Sequence, residues 1–75
     1  MEVGAALRTL RMARGLTQEQ AAESIGMGAR HLQKVESGEV NVTLETLYRF
    51  AGAYGTDVPS ILAAVGENAT TGKQS

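Results

Sequence analysis

The chain has 75 residues, a formal net charge of −1, one histidine and no cysteine. This length corresponds to a single small domain, and the lack of cysteine excludes disulfides and thiolate zinc sites. One histidine cannot assemble a metal site by itself, so we expect no metal and no cofactor.

The first predicted element is an amphipathic helix over about residues 2–13. Its apolar residues recur at intervals of three and four, which is the spacing of one helix face. They are Val3, Ala6, Leu7 and Leu10. Gly15 follows as a terminator, and Arg14 lies at the C-terminal end, where the helix dipole favours a cation. We expect this helix mainly to cover the core.

A second helix is predicted to begin after Thr17. The hydroxyl of Thr17 can cap the helix, and Gln20, three residues on, can complete a capping box. Ala21, Ala22 and Ile25 then form a narrow stripe of mostly small apolar side chains. Such a stripe lets a neighbouring helix approach closely.

A tight turn and a third helix follow. Gly26 can adopt the positive φ that ends a helix, and Gly28 can serve as a weak N-cap for the next one. Leu32 and Val35 face inward, and Gly38 terminates the helix. The second and third helices, joined by this short turn, are typical of a helix-turn-helix unit.

The outer side of the third helix is polar. It carries Ala29, Arg30, Gln33, Lys34 and Ser37. Arg or Lys can pair with guanine O6 and N7, and Gln can pair with adenine N6 and N7, so such a helix suits the major groove of DNA. A simple solvated helix surface has the same composition, because charged residues lie outside as a rule.

A fourth helix is predicted to begin after the N-cap residue Thr43 and to end at Gly55. The residues with helical spacing, which we expect on its buried side, are Leu44, Leu47, Tyr48 and Ala51. Phe50 and Tyr54 add bulk on a neighbouring stripe. The apolar surface of this helix is therefore unusually broad.

A short fifth helix is predicted after Asp57, which can act as its N-cap, with Pro59 tolerated in the first turn. Its apolar residues are Val58, Ile61, Leu62 and Val65. From Gly66 onward the residues are small and polar. We therefore expect a domain over residues 1–65 and a flexible C-terminal tail over residues 66–75.

The run from Leu7 to Gly55 resembles the phage-repressor-like (Xre-type, lambda-repressor-like) helix-turn-helix family. The match covers about two-thirds of the chain in one register and includes Arg11, Gly15, Leu16, Gln18, Ala22, Gly26, Leu32, Glu36 and Gly38. The resemblance implies an all-α fold of five helices, in which the second and third form the DNA-reading unit. Val42 departs from the pattern, because many members have proline there.

The resemblance also implies roles for individual residues. Base contacts are expected at Ala29, Arg30, Gln33 and Lys34. Phosphate contacts are expected at Arg14, Thr17, Gln18, His31, Ser37 and Asn41. Arg11 is expected to form a structural ion pair with Glu36, which leaves Arg8 or Arg14 for phosphate. Alternatively, Gln18 and His31 are only solvated, and Ser37 and Asn41 only shape the backbone.

Charge is unevenly distributed along the sequence. Up to Gly38 there are five Lys or Arg residues against four acids, whereas from Glu39 onward there are two against four. The basic half is thus the half that contains the helix-turn-helix. This suits a phosphate partner, although the whole chain is slightly acidic.

One domain of this size buries little surface on DNA, and members of the family tend to bind two half-sites as dimers. We therefore expect a homodimer. The expected interface is a set of apolar residues on the fourth and fifth helices, namely Tyr54, Val58, Ile61, Leu62 and Val65. Packing within the core of a single chain is the competing explanation.

These features favour a sequence-specific DNA-binding transcriptional regulator, a repressor or autoregulator that binds a palindromic operator as a dimer. Two alternatives are an antitoxin-type autorepressor that also binds a toxin, and a protein-interaction module that has lost DNA binding. An enzyme is not expected, because the lone histidine has no visible nucleophile partner and no glycine-rich phosphate loop is present. Without a long apolar run or a secretory signal, a cytoplasmic location away from membranes is expected.

Overall fold

The computed structural model describes the backbone of residues 3–73 and the side chains of residues 3–66. This part of the chain contains five α-helices and no strand. They are α1 (Val3–Ala13), α2 (Gln18–Ile25), α3 (Ala29–Ser37), α4 (Leu44–Tyr54) and α5 (Val58–Lys73). The all-α architecture of five helices implied by the resemblance is therefore present. The helices lie in the predicted order and positions, but α5, with 16 residues, is longer than the short helix that was predicted.

Side chains cap the starts of α2 and α4. The Thr17 hydroxyl accepts the backbone N–H of Gln20 at 3.1 Å, and Gln20 Oε1 accepts the N–H of Thr17 at 2.9 Å, so the predicted capping box is confirmed. Thr43 accepts the N–H of Thr46 at 3.1 Å in the same way. These bonds satisfy donors that have no partner inside a helix.

Glycine ends the three middle helices. Gly26, Gly38 and Gly55 follow α2, α3 and α4 with φ of 88°, 85° and 66°. This left-handed conformation is strained for residues that have a Cβ. The sharp reversals that bring α2 onto α3, and α4 onto α5, therefore depend on glycine.

The core lies where the five helices meet. Its largest fully buried side chains are Leu7, Leu32, Val35, Phe50, Tyr54 and Ile61. The small residues Ala21 and Ala22 are also fully buried, as expected for the stripe that lets α2 approach its neighbours. α1 lies between α3 and α5 and contacts both. It therefore covers the core, as the sequence predicted.

The buried side of α4 differs from the prediction. Leu44 and Tyr48 were expected in the core, but they are 59% and 63% exposed. The predicted stripe is wrong at these two positions because the rings of Phe50 and Tyr54 occupy the core side, packed edge to face with centroids 5.7 Å apart. A helix has one core side, and the pair of aromatic rings buries more surface there.

α5 begins after Asp57, whose carboxylate accepts the N–H of Ser60 at 2.8 Å. That bond and the Ser60 hydroxyl hold the pKa of Asp57 below its ordinary value. The helix continues to Lys73, beyond Val65, where the apolar spacing ends.

Two sequence predictions concern residues outside this description. The start of the first helix at Glu2 lies outside the described residues. The tail predicted over residues 66–75 falls mostly outside the described side chains and stays a prediction. Of the helices in the described part, none has both the length and the apolarity that crossing a membrane would require.

Gly4 allows α1 to lie directly against the C-terminal end of α3. The residue is buried, and a Cβ at this position would overlap the backbone carbonyl oxygens of Val35 and Glu36. The sequence pattern gave no sign of this contact, because Gly4 stands inside an otherwise regular amphipathic helix. The close approach of α1 to α3 therefore depends on the absence of a side chain at position 4.

We predict that Gly4→Ala destabilises the domain by about 1–3 kcal/mol, because the added methyl group pushes two backbone carbonyls apart. Gly52→Ala is the matched control, since a Cβ at Gly52 has no atom within 4 Å. The control should gain up to about 1 kcal/mol from helix propensity. Urea unfolding of dilute protein, followed by circular dichroism, measures both. Equal stability of Gly4→Ala and wild type would contradict the close contact.

Candidate nucleic-acid interface

A buried ion pair joins α1 to α3. Arg11 Nε donates to Glu36 Oε2 at 2.7 Å, and Arg11 Nη2 donates to Glu36 Oε1 at 3.3 Å. The two side chains are only 10% and 3% exposed. Arg11 Nη1 also donates to the carbonyl of Leu16 at 2.6 Å. The structure thus brings together the pair that the resemblance implied, and it fixes the α1–α2 loop in the same contact.

The pair continues as a hydrogen-bonded chain to the surface of α3. Glu36 Oε1 accepts Gln18 Nε2 at 3.1 Å, and Gln18 Oε1 accepts Gln33 Nε2 at 3.1 Å. A carboxylate can only accept, so Gln18 must present its nitrogen to Glu36 and its oxygen to Gln33. The direction of the chain is therefore set by the buried charge. Gln33 keeps its Oε1 and one N–H for another partner.

The outer side of α3 carries most of the predicted base-contact residues. Arg30, Gln33 and Lys34 are exposed, whereas Ala29 is half-buried against the core. His31 is also exposed. In the part of the chain that the structure describes, no hydrogen bond or ion pair engages the side chains of Arg30, His31 and Lys34. Their donors are available to a ligand.

The predicted phosphate-contact residues near the ends of the two helices differ in availability. Thr17 is exposed, and its hydroxyl accepts a bond from Gln20 while its own hydrogen stays available. The one hydrogen of the Ser37 hydroxyl is already shared between the carbonyl of Lys34 at 3.0 Å and Glu39 Oε2 at 3.2 Å. A phosphate at Ser37 would have to replace the Glu39 carboxylate, which carries the same sign of charge.

Asn41 lies apart from the outer side of α3. It is exposed in the loop between α3 and α4 and lines a separate cleft beside Val3, Gly4 and Val42. Asn41 could contact a ligand bound on the outer side of α3 only if that ligand extends past the end of the helix.

Arg8 and Arg14, the two cations that α1 and its end could offer to phosphate, are placed differently. Arg8 lines an open cleft of about 240 Å³ together with Gln18, Gln33, Glu36 and Ser37. The guanidinium of Arg14 lies at the C-terminal end of α4, with Nη2 3.6 Å from the position of a Cβ on Gly55. Arg8 is the better placed of the two for a phosphate near α3, because it shares a cleft with the α3 side chains. The phosphate contact expected at Arg14 stays a prediction.

Arg49 is a site residue that the sequence did not indicate. Its Nη2 donates from α4 to the carbonyls of Ile25 at 2.9 Å and Gly26 at 3.3 Å. These carbonyls end α2 and form the turn before α3. The contact spans 24 positions in the chain, so no local pattern could have revealed it. Arg49 ties the helix-turn-helix turn to α4.

The residues of the expected dimer interface belong mostly to the core. Tyr54, Val58, Ile61 and Val65 are buried in the core of their own chain, and only Leu62 is 41% exposed. The competing explanation, core packing, accounts for these four residues, because side chains enclosed by their own domain have little surface left for a partner. The dimer interface at this set of residues stays a prediction.

The charges near α3 are mostly positive. Glu36, the buried acid of this region, is neutralised by Arg11. The exposed cations on the same side of the domain are Arg8, Arg30 and Lys34. Within the described residues, no three His, Asp or Glu side chains come together as a metal-binding group. This surface therefore suits an anionic polymer.

A model of protein families, described as a helix-turn-helix domain, matches residues 2–64. The control protein C.SmaI of Serratia marcescens is 42% identical over 60 residues, which span 80% of this chain and 71% of that protein. The immunity repressor protein of Bacillus phage phi105 is 37% identical over 62 residues, which span 83% of this chain and 43% of the repressor.

A solved structure has the same fold. The clp gene regulator ClgR from Corynebacterium glutamicum superposes with a TM-score of 0.87 and 32% sequence identity, covering 97% of this chain and 79% of that one. The likeness extends over nearly the whole chain. It therefore includes α4 and α5 as well as the central pair of helices.

Burial and, to a lesser extent, the nearby Glu36 carboxylate raise the pKa of Tyr54 to about 12, while Arg11 opposes the shift. The hydroxyl has no hydrogen-bond partner within the described residues. Because an unfolded tyrosine ionises near pH 10 and the folded one near pH 12, this contribution to stability is complete below about pH 10 and is lost as the pH rises to about 12.

We predict that Tyr54→Phe removes this alkaline loss and leaves stability at neutral pH equal or higher, since the buried hydroxyl lacks a partner. The measurement is the thermal unfolding temperature as a function of pH, followed by circular dichroism. Tyr48→Phe, at an exposed position, should keep the wild-type profile. An identical alkaline loss in Tyr54→Phe and wild type would assign it to another group.

Proposed function

This chain belongs to the phage-repressor-like helix-turn-helix family, and from that membership we propose that it is a DNA-binding transcriptional regulator acting as a repressor or autoregulator. In this proposal it occupies a palindromic operator as a homodimer, with α3 in the major groove. The observation that carries the proposal is the bonded chain from Glu36 through Gln18 to Gln33. It holds a base-reading amide in one orientation on the exposed side of α3.

The proposed base contacts follow from the chemistry left available on α3. Gln33 offers one acceptor and one donor, which match adenine N6 and N7. Arg30 and Lys34 offer donors to guanine O6 and N7, and Ala29 can offer only its methyl group to a thymine. Because Gln33 is already oriented by Gln18, it loses little side-chain freedom on binding.

The proposed phosphate contacts surround this strip. Gln18 and Thr17 lie at the N-terminus of α2, where backbone N–H groups and the helix dipole favour an anion. Arg8 approaches the outer side of α3 from α1, and His31 lies on α3 itself. Ser37 and Asn41 lie at the end of α3 and in the loop that leads to α4. Such contacts set position and add salt-dependent affinity, whereas the bases set specificity.

A dimer is proposed because one domain of this size offers a small interface to DNA. Two copies on half-sites about one helical turn apart double the number of contacts. Repression is supported by the relative described as an immunity repressor protein, which shares 37% of its matched residues with this chain. The location proposed is the cytoplasm, where the operator is accessible.

We predict that Arg30→Ala lowers discrimination between the preferred duplex and a scrambled duplex by about 1–3 kcal/mol, as expected for the loss of one bidentate base contact. The preferred duplex is obtained by selection from a randomised pool. Fluorescence anisotropy then gives Kd for both duplexes. Arg14→Ala, which removes the same charge away from the α3 cleft, is the control and should keep the discrimination.

The selection itself tests the function. Enrichment of a two-fold symmetric sequence supports operator binding. No enrichment, together with weak binding that ignores both sequence and Arg30, would contradict the proposal and would point to a protein partner instead.

We predict that Arg8→Ala weakens binding equally on preferred and scrambled duplexes and lowers the slope of log K against log salt by about 0.9, the value for one phosphate contact. The measurement is anisotropy across a salt series. Arg14→Ala should keep the wild-type slope, because its guanidinium lies at the end of α4. The reverse result, a changed slope for Arg14→Ala alone, would return the phosphate contact to Arg14.

A further inference from the structure

The outer side of α4 carries an apolar strip with no function in the core. It consists of Leu44, Tyr48 and Gly52, spaced four residues apart, and we call it the α4 strip. Leu44 and Tyr48 are exposed over more than half of their surface. Gly52 is exposed too, and a Cβ there would have no atom within 4 Å. Large exposed apolar residues that lie together indicate an interaction surface.

Among the described residues, nothing requires a glycine at position 52. Its φ is not positive, and no described neighbour lies within 4 Å of a Cβ placed there. Glycine is nevertheless among the least favourable residues in a helix interior. The missing side chain at position 52 leaves room on the helix surface for an apolar group from outside. This open space beside Gly52 lies on the side of α4 that carries Leu44 and Tyr48.

The strip is symmetric about Tyr48. Leu44 precedes it and Gly52 follows it by four residues, which is about 6 Å along the axis at 1.5 Å per residue. A two-fold axis at Tyr48 would reverse the direction of a second α4. Leu44 of each copy would then lie opposite Gly52 of the other, and a leucine side chain would fill the open space. Tyr48 would meet its own copy.

Charge also agrees with this arrangement. Glu45 and Arg49 flank the strip on the same side of α4. In the antiparallel pair, Glu45 lies within about 3 Å along the axis of the position opposite Arg49 of the second copy. Arg49 uses only its Nη2 to bond to the carbonyls of Ile25 and Gly26. The other N–H groups of its guanidinium can therefore pair with Glu45 of the second copy. Because a two-fold axis repeats every contact, the interface would contain this pair of opposite charges twice.

We propose that the α4 strip is the self-association surface of this protein, with two α4 helices packed antiparallel about a two-fold axis at Tyr48. The inference deepens the homodimer of the proposed function by naming its surface. One helix pair buries less than the roughly 800 Å² per partner of a standard interface. The free protein therefore dimerises weakly, at micromolar concentration, and the operator strengthens the pair.

Sedimentation of the full chain without DNA tests the surface, with Gly52→Leu as the main variant. Leucine fills the space that Leu44 of the second copy needs, so the dimer Kd should rise at least tenfold. Leucine also favours a helix, so the unfolding temperature of the dilute protein should not fall. Met12→Lys is the control, because Met12 is 58% exposed on α1 and should leave Kd unchanged.

Cross-linking supplies an independent test, since the chain has no cysteine. A residue on a two-fold axis meets its own copy, so Tyr48→Cys should form a disulfide-linked dimer under mild oxidation. Met12→Cys, at a similarly exposed position on another helix, should stay monomeric. Cross-linking of both variants at the same rate would indicate random collision and overturn the proposal.

Two other outcomes are decisive. A Gly52→Leu dimer as tight as wild type would show that another surface is used. A wild-type chain that stays monomeric to high micromolar concentration, and binds its operator without cooperativity, would remove the dimer. Binding of Gly52→Leu to a half-site duplex separates these results from the operator proposal. If Gly52→Leu binds the half-site with the wild-type salt slope, the DNA-binding proposal is supported even if the α4 strip is not the dimer surface.

Discussion

The buried ion pair between Arg11 and Glu36 is the constraint on which the rest of the structure depends. It links α1 to the end of α3 and, through the carbonyl of Leu16, fixes the loop that leads into α2. Removing one member of a buried pair typically costs about 3–5 kcal/mol, because the other charge is left without a partner. A domain of this size has only about 5–15 kcal/mol of stability in total. The angle between α2 and α3 is therefore tied to the stability of the domain.

The same pair explains how a slightly acidic chain can present a basic surface. Glu36 is the buried acid beneath the outer side of α3, and Arg11 cancels its charge inside the protein. Among the described residues, Arg8, Arg30 and Lys34 then remain as unpaired cations on the outer side, where Glu39 beside Ser37 is the neighbouring exposed acid. At physiological salt, charges are screened beyond about 8 Å, so a phosphate responds to these nearby cations more than to the net charge. The formal charge of −1 is therefore a poor guide to the partner.

α4 contributes to three parts of the molecule. Phe50 and Tyr54 fill the core, Arg49 holds the turn between α2 and α3, and the α4 strip faces solvent. A small domain has few helices, so each must serve several contacts. This arrangement places the proposed dimer surface and the clamp on the helix-turn-helix turn on a single rigid helix. The spacing of two recognition helices in a dimer would then be set without a flexible linker.

The sequence determined the helix boundaries more fully than it determined the site. Thr17 with Gln20, and the glycines after α2, α3 and α4, act on residues within one turn, so their effects could be predicted locally. The pairing of Arg11 with Glu36 was implied by the family pattern, which carries information about distant contacts. The outward position of Arg30 and Lys34 could be predicted because Leu32 and Val35 mark the opposite side of the same helix as buried.

What only the tertiary structure decided involves contacts between distant segments. Gly4 matters because α3 lies against it, and Arg49 matters because the turn after α2 lies within its reach. The choice of the core side of α4 depended on the competition between two apolar stripes of the same helix, and the rings of Phe50 and Tyr54 occupied it. Helical spacing identifies which residues share a side, but which side is buried depends on the neighbours that pack there.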